Sequence, residues 1–174
     1  HMSARRVEWM LWLQWVGASL AGLVLGVSLL LGLSQVIGGP PHKGIMGAVV
    51  GATVGALQLL VLRRRVSRLP AWMAASIIAW GIGAAMELVG GFALSIAVLA
   101  VLAGVLQWLV LRGQVSRSSW WLLASIVAWS VFLGVVAVMS QLAHPAVGIG
   151  MGFAFVGGIT GVALVWMLRQ SPAP

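Results

Sequence analysis

The feature that most constrains this chain is the near-absence of charge within long apolar stretches. Runs at about 8–33, 45–62, 70–89, 92–111, 120–142 and 147–168 are separated only by short polar or glycine-rich segments. A helix that crosses the hydrocarbon core needs about 20 mainly apolar residues. These runs therefore predict six transmembrane helices. With 174 residues, 61% of them hydrophobic and 7% charged, the chain lacks the polar residues that would coat a soluble fold, in which about a quarter are charged. Its expected surroundings are a lipid bilayer. The expected fold is an all-α integral membrane domain over 3–174, with no room for a separate soluble domain. His1-Met2 reads as a leftover of expression, and the first apolar stretch reads as a span rather than a signal peptide.

Charge sets the expected orientation. Arg5, Arg6, Arg63, Arg64, Arg65, Arg68, Arg112, Arg117 and Arg169 fall at one set of span ends, and Lys43 alone falls at the other. This bias places the arginine end and both termini in the cytoplasm, and the chain in the cell inner (plasma) membrane. Trp9, Trp12, Trp72, Trp120 and Trp121 are expected to form an interfacial belt on that side. The formal charge of +8 thus serves topology and lipid headgroups, and no nucleic acid partner is expected. The chain has no cysteine, which excludes disulfides, thiolate catalysis and zinc–thiolate sites.

The sequence also repeats. Gly55–Trp80 and Gly104–Trp129 align without a gap, with 16 identities in 26 positions. The shared frame is Gly-x-Leu-Gln-x-Leu-Val-Leu-Arg, Val-Ser-Arg and Trp-x-x-x-Ser-Ile-x-x-Trp. A fainter copy is split between the chain ends, Trp15-x-x-x-Ser19 and Gly161 to Leu168-Arg169, with Leu164 in place of the glutamine. The predicted unit is a helical hairpin present three times, at about 8–63, 70–112 and 119–169. A pseudo-threefold bundle is its natural packing. These tandem Gln-x-x-x-Leu-Arg and Trp-x-x-x-Ser-x-x-x-Trp hairpins resemble bacterial multi-span membrane proteins of uncharacterised activity. The resemblance covers nearly the whole chain and implies the repeat, with no activity attached.

Several residues are candidates for chemistry. Gln58 and Gln107 each lie five residues before an interfacial arginine, and Gln14 reaches a similar depth. Ser19, Ser76 and Ser125 each follow a tryptophan by one helical turn. These residues form either interhelical glue, at about 0.6–2 kcal/mol per bond, or a polar vestibule for a ligand or ion. Glu87 is the one carboxylate inside a span, a functional-site candidate by default, yet one turn from Gly90-Gly91 and so able to snorkel outward. Trp80 and Trp129, about 12 Å deeper than Trp72 and Trp121 by helix rise, either pack the core or line a pocket for a flat apolar ligand. His42 and His144 in the opposite loops are weak metal candidates, because they lack ligand spacing. No cofactor and no catalytic residue is expected, because paired carboxylates, a nucleophile beside a base and a phosphate loop are all missing from the sequence. The reading is therefore non-enzymatic.

Small residues recur every four positions at Ala18-Gly22-Gly26, Gly47-Gly51-Gly55, Ala75-Ala79-Gly83, Gly148-Gly152 and Gly157-Gly161. They either bring the bundle's helices together or face outward to a partner helix or a second copy. Two functions follow. In the first, the chain transports or captures a small molecule. Its size and topology are similar to the substrate-binding subunits of energy-coupling vitamin importers, with Ala18-Gly22-Gly26 as the stripe that would meet a partner. In the second, it is a non-catalytic scaffold or anchoring module. Capture predicts a solvent-reachable cavity at Glu87 or at the Gln/Ser layer. A scaffold predicts a sealed core and outward glycine stripes.

Overall fold

Within hydrocarbon every backbone N–H and C=O must find its partner inside the segment, and among the described residues the regular structure is helical alone, as that constraint allows. A computed structural model describes residues 2–170, and over 2–7 the backbone only. His1 and the side chains of Arg5 and Arg6 lie outside the described residues. The helices are α1 (Met2–Ile37), α2 (Lys43–Leu62), α3 (Leu69–Leu111), α4 (Trp120–Leu142) and α5 (Pro145–Arg169). Each is long and apolar enough to cross a membrane, and less than half of its most apolar window is buried inside the protein. The outer faces carry Val24, Leu31, Leu88, Ile126 and Val162, all exposed. Such a surface is stable against lipid and not against water.

Local sequence explains the ends. Pro70 and Pro145 sit in the first turns of α3 and α5, where a missing N–H costs nothing. His42 and His144 cap α2 and α5, each accepting a bond at Nδ1 from the backbone N–H two residues on. Helix α1 continues past the expected end near Leu33 to Ile37, because the Ser34 hydroxyl donates back to the Leu30 carbonyl and stays satisfied within the helix.

Six helices are expected from the sequence and the described residues form five, because the third and fourth expected spans are joined in α3 with no loop between them. At 43 residues α3 would measure about 64 Å if straight, twice the thickness of a hydrocarbon core. It is not straight. Gly90 (φ −140°, ψ 19°) and Gly91 (φ 73°, ψ −173°) leave helical geometry, and Gly91 occupies a region open essentially to glycine alone. The two halves fold back on each other. A Cβ built on Gly83 would lie 2.8 Å from the Leu99 Cβ, and Gln107 bonds Ser76, a pair about 46 Å apart on a straight helix.

At the level of the backbone, each helix packs against its neighbours in the chain, and α1 meets α5 to close a ring. The seam between first and last helices is pinned by side chains. Trp12 Nε1 donates to the Gly158 carbonyl at 3.0 Å, and the Glu8 carboxylate pairs with Arg169. The small-residue stripes lie on these contacts. A Cβ on Gly22 would sit 2.5 Å from the Val54 Cα, one on Gly148 3.1 Å from the Val136 Cα, and one on Gly161 3.0 Å from the Trp12 ring. Thr53 Oγ1 reaches across the first of these contacts to the Gly22 carbonyl at 2.8 Å.

Replacing Gly91 by alanine should destabilise the protein by about 1–3 kcal/mol, since its backbone region excludes a side chain while nothing lies within 4 Å to clash. Gly150→Ala, in a helix with open space around it, should be neutral or stabilising by up to about 1 kcal/mol. Thermal melts in detergent compare the two.

Candidate functional site

Two layers fill the ring, and they differ in how well they fill it. Toward the arginine end, Trp15 of α1, Trp72 of α3 and Trp121 of α4 meet edge to face, with centroids 5.9, 5.9 and 5.7 Å apart. All three are fully buried. The expected interfacial belt is therefore only partly formed. Trp9 and Trp120 are exposed as a belt requires, but Trp72 and Trp121 point inward, because one face of each helix must fill the axis of the ring.

The polar candidates stand around this triad. Gln58 donates to Ser19 at 3.0 Å and Gln107 to Ser76 at 3.4 Å. Gln107 Oε1 accepts from Trp121 Nε1 at 3.2 Å. Ser125 donates to the Ala100 carbonyl, and Trp15 Nε1 donates to Thr160 at 3.0 Å. Thr160 lies one turn before Leu164, where the faint copy expected from the sequence lacks the glutamine, and it supplies the acceptor for Trp15. Among the described residues, Gln58 Oε1 and Trp72 Nε1 are buried without a partner. They are the counterparts of the bonded pair Gln107 and Trp121. Gln14, expected at the same depth, is exposed on the outer face of α1 and takes no part. This layer is closed, since Gln58, Gln107, Ser76 and Ser125 are all buried.

The second layer lies toward the opposite end. Trp80, Trp129 and Phe153 form a second aromatic triangle with centroids 5.6, 5.7 and 6.0 Å apart, extended by Phe132 at 5.3 Å from Trp129. Here the packing leaves an open cavity of about 250 Å³, lined by Trp80, Trp129, Phe153, Leu23, Lys43 and Glu87 among others. Lys43 Nζ donates to Glu87 Oε1 at 3.0 Å across the mouth, with both side chains partly exposed. Eight residues beyond Trp72 and Trp121 come Trp80 and Trp129, but eight beyond Trp15 comes Leu23. Phe153 of α5 completes the aromatic triangle in place of a third indole, and Leu23 lines the cavity with it.

The structure therefore brings together Glu87, Trp80 and Trp129, and sets Gln58, Gln107, Ser76 and Ser125 apart in a sealed layer. His42 and His144 serve as helix caps, and among the described residues no group of His, Cys, Asp and Glu could hold a metal. Lys43 is the partner that sequence reasoning missed. It is the sole cation opposite the arginines, and that uniqueness was the available signal. No protein-family model, curated protein or solved structure matches the chain. Fold and site alone define it as a helical protein whose long apolar helices fit a multi-pass membrane protein, with an aromatic cavity lined by the Lys43–Glu87 ion pair.

Gln107→Leu should lower stability by about 1–3 kcal/mol, because it strands the buried Trp121 N–H. Gln58→Leu should cost less, because it also removes an acceptor that has no partner. Melting of the two single variants and of the double variant in detergent tests both the order and the sum.

Proposed function

We propose that this chain is a six-span inner-membrane protein, with both termini in the cytoplasm, that captures or transports a small molecule through the cavity facing the other side. The observation that carries the reading is the cavity itself, with the Lys43–Glu87 pair at its mouth and Trp80 and Trp129 in its wall. Binding sites are typically concave, mostly apolar and provided with a few placed polar groups. At about 250 Å³ this one lies below the usual range of about 300–1,000 Å³, which suits a small ligand. Its aromatic wall favours a flat apolar body, and the ion pair favours a polar or charged substituent. No step in this reading calls for catalysis.

The span count rests on the glycine break in α3 and on the bonds that join its halves. Three hairpins around a pseudo-threefold axis, in the manner of the tandem bacterial proteins that the motifs resemble, accord with the three equivalent tryptophans. Orientation rests on the arginines. The scaffold reading required outward glycine stripes, and those of Gly22, Gly47, Gly148 and Gly161 meet neighbouring helices instead, while Gly83 meets the other half of α3. What remains for a partner protein or a second copy is the outer side of α1, where Gly17 and Ala21 are exposed.

Native mass spectrometry of protein released in mild detergent should show a discrete small-molecule adduct. Leu23→Trp, which adds an indole to the cavity lining, should abolish it with the fold intact, and Glu87→Gln should weaken it. A bare wild-type chain in a defined dimer or trimer would sink capture in favour of the scaffold. The absence of cysteine makes single-cysteine labelling clean. Val89→Cys and Gly39→Cys should both react with an impermeant maleimide from outside intact cells, and Ser67→Cys should react only after permeabilisation. An unreactive Val89→Cys would count against six spans.

A further inference from the structure

The arginine-rich end carries a separate pair of features that the capture cavity does not use. At the seam of α1 and α5 a pocket of about 420 Å³ is lined by Glu8, Trp9, Trp12, Trp166, Arg169 and neighbouring valines. Its two charges are opposite and paired, Glu8 with Arg169, and both are partly exposed. Three indoles surround them. Trp9 and Trp12 stand edge to face at 5.7 Å, and Trp12 is held in place by its bond to the Gly158 carbonyl. Trp166 carries the Arg117 guanidinium over its ring at 5.5 Å, so a second cation stands against an indole that lines the pocket.

From this pocket a groove continues along the outer surface between α4 and α5. It shares Val162 and Trp166 with the pocket, runs to Ile159 and Val127, and has a volume of about 420 Å³ with an almost wholly apolar lining. From Arg169 to Ile159 is ten residues of helix, about 15 Å. That is half of a hydrocarbon core of about 30 Å, the depth of one leaflet. A polar mouth with both signs of charge, opening into an apolar groove one leaflet deep, matches the anatomy of a phospholipid.

We propose that this pocket and groove bind one zwitterionic phospholipid that bears an ammonium headgroup. The phosphate meets Arg169 and Arg117. The ammonium meets the Glu8 carboxylate within the indole faces of Trp9 and Trp12, where aromatic quadrupoles favour a cation. One acyl chain lies along the groove to Ile159. An anionic lipid without an amine would satisfy the arginines but leave Glu8 facing negative charge, so the site discriminates by headgroup and not by charge alone.

The test is native mass spectrometry of the delipidated protein, titrated with phosphatidylethanolamine and phosphatidylglycerol carrying identical acyl chains. The wild type should retain one lipid and prefer phosphatidylethanolamine by at least about threefold, the scale of a single exposed cation–π contact. Glu8→Gln should bring the ratio to about one. Val162→Trp, which blocks the junction of pocket and groove, should remove retention of both lipids, whereas Leu23→Trp should leave it unchanged and so separate this site from the capture cavity. Equal retention of the two lipids by the wild type would mean unspecific annular lipid and overturn the proposal. A preference for phosphatidylglycerol would overturn the zwitterion assignment. Both readings come from the wild type, so they stand even where a variant fails to fold.

Discussion

In surroundings as apolar as the protein itself, helices gain nothing by hiding leucine from the solvent, and association must come from close packing and hydrogen bonds. The ring of helices in this chain depends on that constraint. Its contacts are made where glycine removes the side chain, so that Gly22 lies on the backbone of α2 and Gly148 on that of α4. The same approach lets Thr53 reach the Gly22 carbonyl. A ring held at its walls leaves a space along its axis, and what fills that space decides what the protein can do.

The two layers answer that question differently. Near the arginine end the axis is closed by three indoles, with Gln58, Gln107 and Thr160 bonding the groups around them. This layer is buried, and its glutamines bond the serines of neighbouring helical segments. Toward the other end, Trp80, Trp129 and Phe153 form the triangle and, with Leu23 among others, line an open cavity. The Lys43–Glu87 pair spans its mouth, where the partial exposure of both groups softens the desolvation that a fully buried pair would suffer. The repeated segments contribute Trp80 and Trp129 to the candidate site, and residues outside those segments, Leu23, Lys43 and Phe153, line it with them.

Much of this was legible before any coordinates. The apolar runs located the helices, Gly90-Gly91 marked the reversal inside α3, and Gln58 and Gln107 stood out as paired positions that meet Ser19 and Ser76. Less legible was the direction in which each side chain points around its helix. Trp72 and Trp120 share an expected depth, yet one is buried on the axis and the other is exposed. Gln14 shares the depth of the polar layer and faces outward. Depth follows from counting residues along a span, whereas azimuth depends on which neighbours a helix acquires.

By itself the sequence determined the long apolar helices, the places where the chain turns and the likeness of Gly55–Trp80 to Gly104–Trp129, because these depend on composition, periodicity and local backbone freedom. Only the tertiary structure decided that Lys43 meets Glu87 and that Thr160 accepts from Trp15. It also decided that the glycine stripes face neighbouring helical segments, and that Leu23 lines one cavity with Trp80 and Trp129. Each of these joins residues from helices far apart in the chain, and such contacts exist only once the ring has closed and set every helix's rotation.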